Sequence, residues 1–441
     1  SKGDYDRDIA DFNQAVSLDP KDATTYSARG LTYRAKGDLD RAVADFNQAI
    51  SLDPKSIDYR VRGNAYSAKG DLDRAIADFN QAISLDPKST DYSVRGNAYR
   101  AKGDLSRAIA DFNQAISLDP KEAMAYNGRG LAYRNKGDDD RAIADFNQAI
   151  SLDPKYDFAY FNRGFAYLSK GDYDHAIADF NQSINFDPKY AIAYNGRGLA
   201  YRNKGDYDHA IADFNQAISL DPKYAIAYNG RGLAYRAKGD DDRAIADFNQ
   251  AISLDPKYAI AYNGRGLAYR SKGDYDRAIA DYNQAINLDP KRAIAFRERG
   301  LANLYAGALP EALADFNQAS ALDPKDVYAA LWVDIAGQRN NVPSRLQQAS
   351  SQLDMTKWPA PIVGLFLGQM TIAAVLAAAD DPDPNKKKGR VCDANFFAGE
   401  LSQMKGSKAE AAQLFRLVAN DCPHGFVVAA RVELKRLGAL P

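Results

Sequence analysis

Hydrophobic and polar positions repeat along most of the chain with a period of 34 residues, shortened twice to 33. Residues 191–224 represent the repeating unit, and positions are numbered from Ala191 as position 1. Each half of the unit carries an aromatic or small residue at every third or fourth position, as one face of a helix requires. The two stripes are Tyr194, Gly198 and Tyr201 at positions 4, 8 and 11, and Ala210, Phe214 and Ala217 at positions 20, 24 and 27. The pattern predicts a first and a second helix in every unit.

The residues between the two stripes predict a tight turn. Gly205 suits the end of the first helix, and Asp206 can cap the amide groups that begin the second. Pro222 then ends the second helix. A single hairpin of this kind cannot bury its apolar face, so consecutive hairpins are expected to stack into a solenoid.

The residues at seven positions of the unit resemble those of the tetratricopeptide repeat (TPR) family. They are an aromatic residue at position 4, Gly at 8, Tyr at 11, Ala at 20, Phe at 24, Ala at 27 and Pro at 32. Nine consecutive full copies occupy residues 23–326. The resemblance implies an all-α fold, a right-handed α-solenoid of tandem TPR hairpins. It also implies a non-enzymatic protein-interaction scaffold that binds an extended peptide in the concave groove.

The ends of the chain depart from the regular pattern. Residues 1–22 read as the second half of a repeat, so we expect the natural start, and any signal peptide or lipid anchor, to lie upstream. Residues 327–390 read as divergent helical hairpins and a loop, with helices at 328–338 and 344–353 and a solvated loop at 380–390. The apolar stretch before that loop is interrupted by Gly368 and by Thr371, a helix cap, which favours two short helices over a membrane span.

Residues 391–441 read as a final divergent TPR and a capping helix. With Cys392 as position 1, Pro423 falls at position 32 and Cys422 at position 31. The start of the first helix and the end of the second lie at the same end of an antiparallel hairpin, so Cys392 and Cys422 are predicted to form a disulfide. The alternative is two buried thiols in a cytosolic protein.

The 57 basic and 58 acidic residues give a net charge of −1, which does not indicate a nucleic-acid partner. The three histidines are His175, His209 and His424, and they form no metal-binding or catalytic pattern. No cofactor, metal site or catalytic residue is therefore predicted.

All nine repeats carry Arg at position 7 and Asp at position 23, both on predicted buried faces. A buried charge without a partner is costly, which predicts structural ion pairs among residues such as Arg197, Asp213, Arg231 and Asp247. The alternative is a set of ligand-binding arginines.

Positions 2, 5, 9 and 12 share the opposite side of the first helix, which lines the concave groove in the TPR family. Asparagine offers donors and acceptors to a peptide backbone, and arginine binds carboxylates. The alternative is an ordinary solvated face. The predicted groove residues are Asn127, Arg134, Asn195, Leu199, Arg202, Asn229, Leu233, Arg236, Asn263, Leu267 and Arg270.

The C-terminal part adds a second resemblance. Residues 358–376 (WPAPIVGLFLGQMTIAAVL) and 392–426 (CDANFFAGELSQMKGSKAEAAQLFRLVANDCPHGF) resemble the NlpI-like bacterial TPR lipoproteins. That family consists of outer-membrane-anchored adaptors for periplasmic proteases and peptidoglycan hydrolases. The resemblance implies such a protein partner and a periplasmic location. The alternatives are a cytoplasmic, co-chaperone-like adaptor and the substrate-recognition arm of a larger enzyme.

Overall fold

The computed structural model describes residues 5–422 and 426–439, and this part of the chain contains helices and no strand. The chain divides into two compact units, residues 1–205 and 206–441. The helices of the first unit are α1 (Tyr5–Leu18), α2 (Ala23–Lys36), α3 (Leu39–Leu52), α4 (Ser56–Ala68), α5 (Leu72–Leu85), α6 (Ser89–Ala101), α7 (Leu105–Leu118), α8 (Ala123–Asn135), α9 (Asp139–Leu152), α10 (Asp157–Lys170), α11 (Tyr173–Phe186) and α12 (Ala191–Lys204).

The second unit continues the alternation of first and second helices and adds a divergent C-terminal part. Its helices are α13 (Tyr207–Leu220), α14 (Ala225–Ala237), α15 (Asp241–Leu254), α16 (Ala259–Ser271), α17 (Tyr275–Leu288), α18 (Ala293–Ala306), α19 (Leu309–Leu322), α20 (Val327–Arg339), α21 (Leu346–Ala349), α22 (Ala360–Phe366), α23 (Ile372–Ala378), α24 (Pro384–Met404), α25 (Lys408–Asp421) and α26 (Val427–Arg436). Within each unit, consecutive helical hairpins pack in chain order, which confirms the all-α solenoid class.

The hairpins from α2–α3 to α16–α17 turn at a glycine and restart at an aspartate, whereas α19 follows Ala308 and α25 follows Ser407. Between α14 and α15, Gly239 adopts the left-handed conformation with φ +82°, which a side chain would disfavour. Asp240 then caps α15, because its Oδ1 accepts a hydrogen bond of 3.0 Å from the Arg243 amide. The predicted turn chemistry is confirmed in this hairpin.

Where the next hairpin has glycine at position 6, the phenylalanine at position 24 packs between two consecutive hairpins. Phe248 is fully buried between Gly232 of its own hairpin and Gly264 of the following one. A Cβ added to Gly232 or Gly264 would lie 2.9 or 2.6 Å from the Phe248 ring atom Cε1, far inside van der Waals contact. The glycines at positions 8 and 6 therefore let the two first helices approach both sides of one ring.

The C-terminal part departs from two predictions. The helix expected at 344–353 is one α-helical turn, α21, followed by a 3-10 turn at Ser350–Gln352. The prediction of a solvated loop at 380–390 is wrong from residue 384 onward, because α24 begins at Pro384. Asp383 caps this helix by accepting hydrogen bonds from the amides of Asn385 and Lys386, and the lysines that suggested a loop form its exposed first turns.

The other C-terminal elements lie where the sequence suggested. The apolar stretch forms two short helices, α22 and α23, and none of the described helices is long and apolar enough to cross a membrane. A disulfide joins Cys392 on α24 to Cys422 after α25. Pro423 and His424 lie outside the described residues.

A buried ion network ties the closing helix α26 to α20 and α24. Arg339 lies 2.6 Å from Glu400 and 3.1 Å from Glu433, and Arg436 lies 2.8 Å from Glu433. Both carboxylates are fully buried, and burial raises the pKa of Glu400 despite the opposing effect of Arg339. Because each buried carboxylate has an arginine partner, the network fixes where α26 docks.

Replacing Gly264 by Ala should destabilise the second unit by about 1–3 kcal/mol, because the new methyl group has no room beside Phe248. Gly389 is the matched control, since it also lies inside a helix but has no neighbour within 4 Å of the place that a Cβ would occupy. Gly389→Ala should stabilise by roughly 0.5–1 kcal/mol. Chemical unfolding of both variants tests the difference, and equal shifts in the same direction would refute the packing argument.

Candidate binding surface on the first helices

The first helices form the inner side of each stack. In the second unit, α14 contacts α16 and α16 contacts α18, whereas the second helices α15 and α17 have at most a marginal contact. The first unit repeats this arrangement in the contacts of α4, α6, α8, α10 and α12. A row of helices whose members approach more closely than those of the other row lies on the inner side of the curve.

The position-7 arginines are internal ties. Arg231 donates from Nε and Nη2 to the two oxygens of Asp247, at 2.8 and 2.6 Å, and from Nη1 to Asn215 of the preceding hairpin at 2.6 Å. The hydrogen bond to Asp247 raises the pKa of Arg231. Equivalent pairs are Arg29–Asp45, Arg62–Asp78, Arg95–Asp111, Arg129–Asp145, Arg163–Asp179, Arg265–Asp281 and Arg299–Asp315.

The remaining predicted pair is Arg197 and Asp213, and each unit contains one of these two residues. In the first unit, Arg197 donates to Asn181 at 2.6 Å. In the second unit, Asp213 is buried on α13. The arginines of this set thus contact a carboxylate or an amide of the protein itself, which leaves little of the guanidinium for a ligand.

The position-19 arginines are also satisfied within the protein. Arg243 pairs with the capping residue Asp240, and its guanidinium lies 4.5 Å from the centre of the Tyr235 ring. Hydrogen bonds from the Arg243 amide and guanidinium lower the pKa of Asp240. His175 takes the same place in its repeat, with Nδ1 2.8 Å from Asp172. No group of three or more metal-ligating side chains occurs among residues 5–422 and 426–439.

The position-12 arginines differ from both sets. We call Arg34, Arg100, Arg134, Arg202, Arg236 and Arg270 the position-12 row. Within the part of the chain that the structure describes, Arg34, Arg100, Arg134 and Arg236 have no ion pair with a carboxylate, whereas Arg270 pairs with Glu298 at 2.9 Å. Burial lowers the pKa of Arg100, Arg134 and Arg236. These side chains are partly desolvated cations on the inner side.

The position-5 asparagines lie deeper than the sequence suggested. Asn127, Asn195, Asn229 and Asn263 are only 3–7% exposed. The reason is visible at Asn127, which donates to the Tyr156 hydroxyl at 3.3 Å and accepts from Asn162 at 2.9 Å, so position 5 faces the next first helix. Peptide binding by these asparagines stays a prediction. The expectation that their side chains are exposed on the groove surface is wrong, because they are buried.

Apolar side chains flank the position-12 row. Ile192, Ile226 and Ile260 at position 2 are 41%, 45% and 37% exposed, an unusual extent for isoleucine at regular intervals. The leucines at position 9, namely Leu199, Leu233 and Leu267, are half-buried. The inner surface therefore combines exposed isoleucine with half-buried leucine and arginine, while the asparagines lie behind it.

Comparison with known families identifies the repeat. A TPR repeat profile matches residues 96–137, 130–171, 166–205, 198–239, 232–270 and 266–307, and a tetratricopeptide repeat profile matches residues 23–56 and 59–89. The chain belongs to the TPR family, whose general role as a protein-interaction scaffold it shares. The matches end at residue 307, so the resemblance of the C-terminal part to NlpI-like lipoproteins stays a prediction.

Solved structures were also compared with the chain, and the first of the following three supports the fold. The chain is similar to one in the APC/C hetero-tetramer Cut9–Hcn1, with 17% identity over 74% of this chain and 81% of that chain and a TM-score of 0.50. A TPR protein from Parabacteroides merdae is 24% identical over 56% of this chain and 98% of its own, with a TM-score of 0.48. MamA is 32% identical over 37% of this chain and 96% of its own, with a TM-score of 0.33. Among curated proteins, none matches the chain.

Replacing Arg231 by Ala should cost about 3 kcal/mol, because it leaves the buried carboxylate of Asp247 without its partner. Arg236→Ala, five residues later on the same helix, should change stability by less than about 0.5 kcal/mol, since Arg236 has no carboxylate partner among the described residues. Urea unfolding of the two variants measures the difference. A larger loss in the Arg236 variant would reverse the assignment of the two arginine sets.

Proposed function

We propose that this chain is a non-enzymatic scaffold that binds an extended, acidic segment of a partner protein along the inner surface of its first helices. The proposal is carried by one observation, the contrast between the position-12 row and the other arginines. In the repeat of α14 and α15, Arg231 and Arg243 each contact an aspartate of the protein, whereas Arg236 does not. The same contrast holds in the repeat of α8 and α9 between Arg129 or Arg141 and Arg134.

A partly desolvated guanidinium without a counterion is unfavourable, and a carboxylate brought by a partner relieves that cost. The chain has nearly equal numbers of basic and acidic residues, so the arginines of the row are not a by-product of a basic composition. Within each unit they place cations on the inner surface of the first helices. This favours an acidic partner by charge complementarity.

The exposed isoleucines supply the apolar part of the surface. Ile226 and Ile260 lie on α14 and α16, the helices that also carry Arg236 and Arg270. Charge contributes to recognition and to the rate of association, while apolar burial contributes most of the affinity. An extended segment with acidic and apolar residues can satisfy both sets because it contacts several first helices in turn.

For the compartment, we propose the bacterial periplasm, with a periplasmic protease or a peptidoglycan hydrolase as the class of partner and a lipid anchor upstream of this chain. The Cys392–Cys422 disulfide supports this proposal because structural disulfides are rare in the reducing cytosol. The resemblance of residues 358–376 and 392–426 to the NlpI-like lipoproteins supports it as well.

Thiol labelling tests the compartment. Protein isolated from its native cells under non-reducing, denaturing conditions should take up no alkylating reagent until a reductant is added, when two thiols become reactive. Mass spectrometry measures the uptake. Two thiols that react without reductant would contradict the periplasmic proposal and favour a cytosolic location.

A charge-neutralising pair of variants tests the binding surface. The probe is a fluorescein-labelled peptide of alternating Glu and Ser with scattered leucines, and its anisotropy gives the affinity for the protein. Changing Arg100 and Arg134 to Gln should weaken binding roughly tenfold or more, since each removes a charge-assisted hydrogen bond. The dependence of the affinity on salt should also become shallower.

The matched control changes Arg107 and Arg141 to Gln on the second helices of the same two hairpins. This variant has the same net charge, but its substitutions lie at the capping aspartates and outside the inner surface. Its affinity should stay within about twofold of the wild type. Equal weakening by the two variants would show attraction by net charge alone and overturn the proposed surface, as would an absence of binding to the wild type.

A further inference from the structure

Three departures from the repeat consensus meet at one place in the second unit. Tyr282 replaces the phenylalanine of position 24, and Arg297 and Glu298 replace the Asn-Gly of positions 5 and 6. The nearly identical repeats that begin at Ala225 and Ala259 carry no such changes around positions 5 and 6. Substitutions that cluster in space within an otherwise uniform array indicate a local requirement that the other repeats do not share.

Arg297 and Glu298 border a cavity of about 200 Å³ between three consecutive first helices, α16, α18 and α20. Its apolar wall consists of Leu301, Tyr328, Trp332 and Phe426. Phe426 comes from the segment before α26 and covers the cavity from the C-terminal side. Because its floor and sides belong to first helices, the cavity opens on the same inner surface that carries Arg236 and Arg270.

The opposite wall is charged. Arg270 lies 2.9 Å from Glu298, Arg297 lies 3.6 Å from the other oxygen of Glu298, and Arg297 also lies 2.5 Å from Asp326. Asp326 has two roles. It pairs with Arg297, and it also caps α20 by accepting hydrogen bonds from the amides of Tyr328 and Ala329. Two arginines and one glutamate line the cavity itself, and each arginine has a carboxylate partner, so this wall is polar and its charges are paired.

The size and lining of the cavity identify its occupant. It is smaller than the pockets that hold drug-sized molecules, which measure roughly 300–1,000 Å³, and it matches one large side chain. A wall of tryptophan, phenylalanine, tyrosine and leucine favours an aromatic or branched aliphatic group.

We propose that this cavity is an anchor pocket that receives one aromatic or large aliphatic side chain from the partner segment. The proposal rests on the function proposed above, because Arg270 belongs both to the position-12 row and to the cavity. It adds a specificity element: the row attracts acidic segments in general, and the pocket selects those that carry a bulky apolar residue and fixes their register.

Two labelled peptides test the pocket. Both alternate Glu and Ser, and they differ only at a central residue, which is Phe in one and Ala in the other. Wild-type protein should bind the Phe peptide roughly tenfold more tightly or better, the discrimination expected when one large apolar group fills a pocket. Leu301→Trp fills the cavity and should remove this difference without weakening the Ala peptide.

Leu288→Trp is the matched control, because Leu288 is exposed at the end of the second helix α17, away from the inner surface, and does not line the cavity. This variant should keep the preference for the Phe peptide. Equal binding of both peptides to the wild type, or a preference that survives in Leu301→Trp, would overturn the anchor pocket and leave the acidic-segment proposal intact. Failure of both peptides to bind would instead overturn the proposed function and the pocket with it.

A second measurement needs no substitution in the pocket and covers the case in which Leu301→Trp does not fold. Trp332 lines the cavity, and Trp358, the other tryptophan of the chain, is replaced by Phe to remove its emission. A peptide with 4-nitrophenylalanine at the central position should quench the remaining Trp332 fluorescence, since nitroaromatic groups quench tryptophan on contact. The same peptide with nitrophenylalanine at its end should quench less, and equal quenching would overturn the proposal.

Discussion

Where position 6 is glycine, the contact of one aromatic ring with two glycines sets how closely two consecutive first helices approach. Phe248 fills the space between α14 and α16, and the two first helices can reach its faces only because Gly232 and Gly264 have no side chains. The first unit has the same arrangement at Phe112, where a Cβ on Gly96 or Gly128 would lie 3.1 or 2.4 Å from the ring atom Cε1. Since one ring contacts its own hairpin and the next, the stacking of hairpins follows from the folding of each hairpin.

This close packing explains why the charges are arranged as they are. A position-7 arginine lies beside the glycine of position 8, so it enters the interior and requires a carboxylate, which Asp247 provides for Arg231. Arg231 also donates a hydrogen bond to Asn215 of the preceding hairpin. Consecutive hairpins are therefore joined by polar contacts as well as by the packing of the aromatic ring. The position-12 arginine lies about one turn further along the helix, beyond that packed layer. Arg236 has no ion pair with a carboxylate among the described residues, and it belongs to the surface that we propose binds the partner.

Much of the fold could be predicted from the sequence because local signals and packing agree in the regular repeats. The Gly-Asp turn, the aromatic stripe and the Arg–Asp spacing all depend on residues within one unit of 34. The burial of Asn229 could not be predicted in the same way, because it depends on how closely α14 and α16 approach. The helical start at Pro384 was obscured by its lysine run, although Asp383 before a proline is a recognisable cap.

The cavity beside Arg270 was invisible to repeat-based reasoning for a related reason. A repeat pattern describes what the units share, and it treats Arg297 and Glu298 as isolated deviations. Only the stacking of α16, α18 and α20 brings these two residues to one wall with Arg270. In a solenoid the consensus positions carry the stability, because each unit must dock on the next. Residues that select a particular partner must therefore lie where the sequence departs from the repeat consensus. The junction with the C-terminal part is such a place. There, Trp332 and Phe426 supply apolar walls that no regular repeat provides.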